Sequence, residues 1–156
     1  MKYPIAYLLT WTTYGIWLHG DVRGSFDVDG NYIPPNEAFR ELDRALMTDD
    51  PVILTPEQRV IVDTVIVEHC RIRKWALHAR NVRTMHAHVV LSANVVGETA
   101  REQLKAWTSR RLSEHASLPR AKDAEGAKKW WTQKGNIEEI WSQRHLEGAI
   151  RYVEDQ

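Results

Sequence analysis

The chain has 156 residues, 43% of them hydrophobic and 27% charged, with a formal net charge of zero. This suits one domain spanning 1–156, and no apolar run approaches the ~20 residues of a membrane-spanning helix. A single cysteine, Cys70, excludes a disulfide framework and a cysteine-built zinc site, and fits a cytoplasmic, reducing compartment.

Residues 4–12 are rich in aromatic, leucine and β-branched side chains and read as a strand. Residues 20–54 hold Gly20, Gly24, Gly30, Pro34, Pro35 and Pro51 and many acids, and read as a long connection within the domain. A short helix is expected near Glu37–Met47, and Asp21-Val22-Arg23-Gly24 reads as a tight turn. Thr55-Pro56-Glu57-Gln58 carries a capping residue, a proline suited to the first helical position and the glutamine of a capping box. Ile61, Val62, Val65, Ile66 and Cys70 follow at helical spacing, so a helix runs to about Lys74. Trp75–Val82 and Thr84–Asn94 read as two strands joined by a turn near Asn81-Val82-Arg83. A second helix spans about Glu98–His115 with Leu104, Trp107 and Leu112 on its inner face. After a polar loop at 117–128, Trp130–Thr132 and Glu138–Trp141 read as a hairpin around Lys134-Gly135-Asn136, and a last helix runs from about Ser142 to the C-terminus. Without that last helix the order is βαββαβ, the α+β ferredoxin-like pattern of an antiparallel sheet with helices on one face. That fold hosts many functions, so function has to come from the site.

The neutral total hides an uneven distribution. Bases concentrate between Arg101 and Lys134, among them Lys105, Arg110, Arg111, Lys128 and Lys129. A local basic surface can hold a phosphate backbone although the whole molecule is neutral; a solvated helix face is the plainer alternative. Arg110 and Arg111 are the first choice for phosphate contacts, with Lys105 behind them. Lys128 and Lys129 precede Trp130 and Trp131, a basic–aromatic pairing that suits single strands.

Two patterns carry chemistry. In His86-Ala87-His88 the strand alternation puts both imidazoles on one face, where they can share a divalent ion. Two surface histidines on a half-exposed strand have the same spacing, which alone does not separate the readings. In the final helix, Leu146, Ala149, Ile150 and Val153 form an apolar stripe, and His145, Gly148, Tyr152 and Gln156 share an adjacent flank. Gly148 is costly in a helix interior by about 1 kcal/mol relative to alanine; space for a ligand or close packing would each account for it. Tyr152 reads either as an amphipathic tyrosine sealing the core edge or as a nucleophile activated by a nearby cation.

The combination resembles the HUH-type Y1 transposases, the IS200-like and REP-associated tyrosine transposases. The matching pieces are Leu9–Gly24, the His86–Leu91 strand, Leu104–Arg110 and Ala149–Gln156, in order over nearly the whole chain. The resemblance implies that His86 and His88 bind the metal, that Tyr152 is the nucleophile and that Gln156 is a helix-borne third ligand. It implies Mg²⁺ or Mn²⁺ as cofactor and hairpin-bearing single-stranded DNA as partner, nicked and rejoined through a 5′-phosphotyrosine link. Some members are homodimers in which the tyrosine helix of one subunit serves the histidines of the other, and others act as monomers; the sequence leaves the two arrangements open. The competing reading is a ferredoxin-like module that binds nucleic acid without cutting it.

Overall fold

The computed structural model describes residues 2–15, 52–115 and 130–156, and the backbone of Ser25–Phe26 and Tyr32–Ile33. The expected helix near Glu37–Met47, the turn at Asp21–Gly24 and the loop at 117–128, with Lys128 and Lys129, lie outside these residues.

In chain order the elements are β1 (Ala6–Thr12), β2 (Ser25–Phe26), β3 (Tyr32–Ile33), α1 (Pro56–Arg73), β4 (Ala76–Val82), β5 (His86–Ser92), α2 (Gly97–His115), β6 (Asn136–Ile140) and α3 (Gln143–Glu154). Strands β2 and β3 pair with each other, antiparallel. The main sheet has the order β4-β5-β1-β6, and its neighbours are antiparallel throughout. This is the ferredoxin-like arrangement, with β1 and β5 at its centre.

Local chemistry explains the helix ends. Thr55 caps α1 by accepting from the Gln58 amide, and Gln58 reaches back to the Thr55 amide, a complete capping box. At the other end Lys74 adopts the left-handed conformation, φ 61°, and its N–H bonds to the last turn. Ser142 caps α3 by accepting from the His145 amide.

Alternation along the strands sorts two cores onto the two sheet faces. Tyr7, Leu9 and Trp11 of β1 and Ala87, Val89 and Leu91 of β5 face α1 and α2, where they meet Val62, Ile66, Leu104 and Leu112. Ala6 and Leu8 of β1, Val90 of β5 and Ile140 of β6 face α3, covered by Leu146, Ala149 and Val153. Burying each such leucine or valine is worth about 1.5–3 kcal/mol, so the short helix α3 is held by its apolar stripe.

Two expectations need correction. The inner stripe of α2 is Leu104, Thr108 and Leu112, whereas Trp107 is 43% exposed. A strict four-residue step defines this stripe, and Trp107 falls off it, with the Arg110 guanidinium over its ring at 4.9 Å. The segment 130–140 is also not a hairpin. Trp131 bridges to Thr13, the Thr132 amide donates to the Thr12 carbonyl, and β6 continues along β1 with Asn136 opposite Thr10. The turn-like Lys134-Gly135 is therefore an interruption in one edge segment, with both residues at positive φ. Glycine is needed there: a Cβ on Gly135 would lie 2.5 Å from the Thr10 carbonyl oxygen.

Among the described residues no helix is long and apolar enough to cross a membrane.

Candidate active site on the third helix face

His86 and His88 occupy β5 positions that alternate with the buried Ala87 and Val89, and so share the α3 face with Val90. Their ring centroids are 4.7 Å apart. Toward the C-terminal end of α3, one turn or less from the buried Val153, the Tyr152 ring stands edge-on to His88 with centroids 5.6 Å apart. Histidine pair and tyrosine therefore meet within one chain. Tyr152 is 50% exposed whereas His88 is 5% exposed, so the site lies at the open edge of the helix–sheet contact.

His88 is neutral at physiological pH. Burial is the main cause, and the neighbouring His86 and the Arg83 charge add to it, bringing its pKa down to about 4. A neutral imidazole keeps a ring lone pair for a cation. Its Nδ1 lies 2.8 Å from Thr10 Oγ1, so ring orientation is set from β1. Thr10, His88 and Asn81 are cross-strand partners in one row of the sheet. On the far side of that row Asn81 Nδ2 donates to the Val153 carbonyl at 3.0 Å and the Gln156 carbonyl at 3.3 Å. It thereby holds the end of α3, where backbone carbonyls lack helical partners.

Among the described residues no cluster of three or more His, Cys, Asp or Glu side chains forms. The protein donors brought together are thus two imidazoles, one of them held neutral. This set fits a divalent ion whose remaining ligands are oxygens from amide groups and substrate. Gln156 is not helix-borne: α3 ends at Glu154 with Asp155 as its cap. The Gln156 amide nitrogen donates to the Tyr152 carbonyl at 3.0 Å, so its side chain folds back on the preceding turn.

The expected DNA contacts on α2 fare differently. Lys105 is 7% exposed, and its ammonium donates to the carbonyls of Thr132 at 2.8 Å and Lys134 at 2.6 Å. It braces the interruption before β6 and is not a phosphate contact; burial pulls its pKa down to about 8. Trp130 is 2% exposed with its indole N–H bonded to Ser113, so it belongs to the core and presents no face to a base. Arg111 is paired with Glu68 at 3.4 Å and Glu114 at 3.9 Å. Arg110 is exposed, but α2 packs on the sheet face opposite the histidines. With layers about 10 Å apart, none of these α2 side chains shares a surface with Tyr152. Nearer the site, Arg83 is exposed in the turn preceding His86, close enough for its charge to act on His88.

Thr10, Asn81 and Arg83 are the site residues that sequence reasoning did not pick out. Thr10 and Asn81 depend on cross-strand register, for which the sequence carries no direct signal.

No family model and no curated protein matches the sequence. The structure is similar to that of a REP-associated tyrosine transposase bound to a REP hairpin, with a TM-score of 0.55 and 12% identity over 98% of this chain and 68% of that one. It also resembles a candidate transposase from Deinococcus radiodurans, with a TM-score of 0.49 and 16% identity over 100% of this chain and 93% of the other. The first likeness shows that this antiparallel sheet, with the three helices among the described residues, has the fold of a tyrosine transposase.

Proposed function

We propose that this chain is a metal-dependent tyrosine transposase that nicks and rejoins single-stranded, hairpin-bearing DNA in a reducing, cytoplasmic setting. The observation that carries this reading is the Tyr152 ring set against His88, itself beside His86, within one chain. It favours a site complete in a monomer over one that borrows the tyrosine helix of a partner.

Tyr152 would give up its phenolic proton to solvent and attack the scissile phosphorus. The bond from phosphorus to the 3′ oxygen breaks, that oxygen takes up a proton, and the 5′ end stays on Tyr152 as a phosphotyrosine. One phosphoester bond replaces another, so a new 3′-hydroxyl can reverse the step without ATP. His86 and His88 would hold Mg²⁺ or Mn²⁺, with the Gln156 amide oxygen as a third donor once that side chain turns. When bound, the ion supplies positive charge at the phosphate oxygens. The remaining work falls to the chain: Thr10 orients His88, Asn81 holds the end of the tyrosine helix, and the half-exposed Tyr152 leaves room for a strand to pass. Among the described residues Arg83, exposed and near enough for its charge to act on His88, is a cation that could meet a neighbouring phosphate.

The reading is tested by incubating the protein with a set of labelled, hairpin-bearing single strands and Mn²⁺. A covalent protein–DNA adduct should appear on a denaturing gel, vanish in Tyr152→Phe and fall steeply in His86→Ala. Salt-sensitive binding with no adduct on any member of the set would instead identify a non-catalytic binding module.

A further inference from the structure

The geometry points to Thr10 as a positioning residue that locks His88 in the tautomer with its proton on Nδ1, which leaves Nε2 as the metal-facing atom; this rests on the reading of the histidine pair as metal ligands. A neutral imidazole carries one proton, and the nitrogen that bears it cannot coordinate. Thr10 Oγ1 lies 2.8 Å from His88 Nδ1 and occupies that nitrogen; a hydroxyl can donate or accept, and only with the proton on Nδ1 and the hydroxyl accepting does Nε2 keep its lone pair for the ion. The two residues are cross-strand partners in the antiparallel β1–β5 pair, so the contact is built into the sheet and does not depend on a loop. Thr10 itself is held from behind: the Thr10 carbonyl lies where a side chain on Gly135 would have to be, and Asn136 pairs with Thr10 across the β1–β6 ladder. Burial of His88 adds weight, because a residue only 5% exposed has little water to take the place of the Thr10 contact. Partners that hold the second nitrogen of a ligating histidine fix its orientation, and losing them weakens metal binding by 10–100-fold.

The test uses the whole chain, ¹⁵N-labelled at histidine and free of metal, at pH 7.5. Long-range ¹H–¹⁵N correlation spectra report which ring nitrogen is protonated, with the His88 signals identified by their loss in His88→Ala. The wild-type chain should show His88 protonated at Nδ1. Thr10→Val keeps the size and β-propensity of threonine but removes the hydroxyl. It should move His88 toward the Nε2-protonated form and weaken Mn²⁺ binding, read by titration, at least tenfold. Thr10→Ser restores the hydroxyl and should restore both readouts, which sets the hydroxyl apart from packing. An Nε2-protonated His88 in the wild-type chain, or a tautomer and Mn²⁺ affinity unchanged in Thr10→Val, would overturn the assignment. If the wild-type chain binds no Mn²⁺, the metal reading of the site falls, and the tautomer spectra still decide the role of Thr10.

Discussion

Gly148 stands in the interior of α3, one turn before Tyr152 on the same flank, and a Cβ built on it meets nothing within 4 Å among the described residues. Close packing against the described residues therefore does not explain the glycine, and among them its conformational cost brings no steric return. Gly148→Ala should stabilise the protein by about 0.5–1 kcal/mol, through higher helix propensity and a less disordered unfolded chain. For a domain of this size that is a rise in melting temperature of about 1–4 °C. Two other glycines serve as internal controls. On Gly97 a Cβ would lie 2.7 Å from Ile137 Cγ2, and on Gly135 it would lie 2.5 Å from the Thr10 carbonyl at a φ of 132°. The same substitution at either position should therefore lower the melting temperature, most at Gly135, where both space and backbone angle oppose it. If the clearance at Gly148 serves a DNA strand passing Tyr152, the alanine variant should melt higher yet give less covalent adduct. A lower melting temperature for Gly148→Ala would refute the open-space argument. A higher one with an undiminished adduct would refute the link to DNA.

The C-terminal anchor of the tyrosine helix can be probed separately. Asn81→Ala removes the donor to the Val153 and Gln156 carbonyls and should cost about 1–2 kcal/mol in urea unfolding, with faster amide exchange confined first to the last turn of α3. Trp130→Ala should cost about 3–5 kcal/mol as a core truncation, whereas the exposed Trp107→Ala should stay near neutral; equal effects would contradict the burial assigned to the two rings. Burial pushes the Cys70 thiol up from 9.0 to about 11, so the folded chain keeps a proton that the unfolded chain releases. With fewer protons bound in the unfolded state, stability should fall as pH rises from about 9 to 11. A Cys70→Ala variant should lose less over that range in denaturant titrations, and a thiol reagent at pH 8 should reach Cys70 only as the chain opens.

Elements with a local cause were legible. The Thr55–Gln58 capping box and the period of Ile61, Val62, Val65 and Ile66 are properties of contiguous residues, and α1 starts at Pro56 as they require. Strict alternation around His86-Ala87-His88 put two histidines on one face because the period of a strand is fixed at two. What failed depended on partners distant in the chain. Lys134-Gly135 carries the residues of a tight turn, yet positive φ serves an edge interruption equally well, and only pairing with β1 distinguishes the two. Lys105 looks like any exposed helical lysine until the carbonyls of Thr132 and Lys134 come to rest under α2 and claim its ammonium. The site was legible in the same divided way. Periodicity gave each half, His86 with His88 and Tyr152 on its flank, but their meeting depends on α3 packing on the face opposite α1 and α2. The apolar stripe of Leu146, Ala149 and Val153 made α3 amphipathic without naming that face. What selects the face is the sheet itself: Ala6, Leu8, Val90 and Ile140 leave an apolar strip there, which gives way at Thr10 and His88 to polar residues. The helix covers the strip and ends on the first polar row, where Asn81 holds its last carbonyls and Tyr152 meets His88.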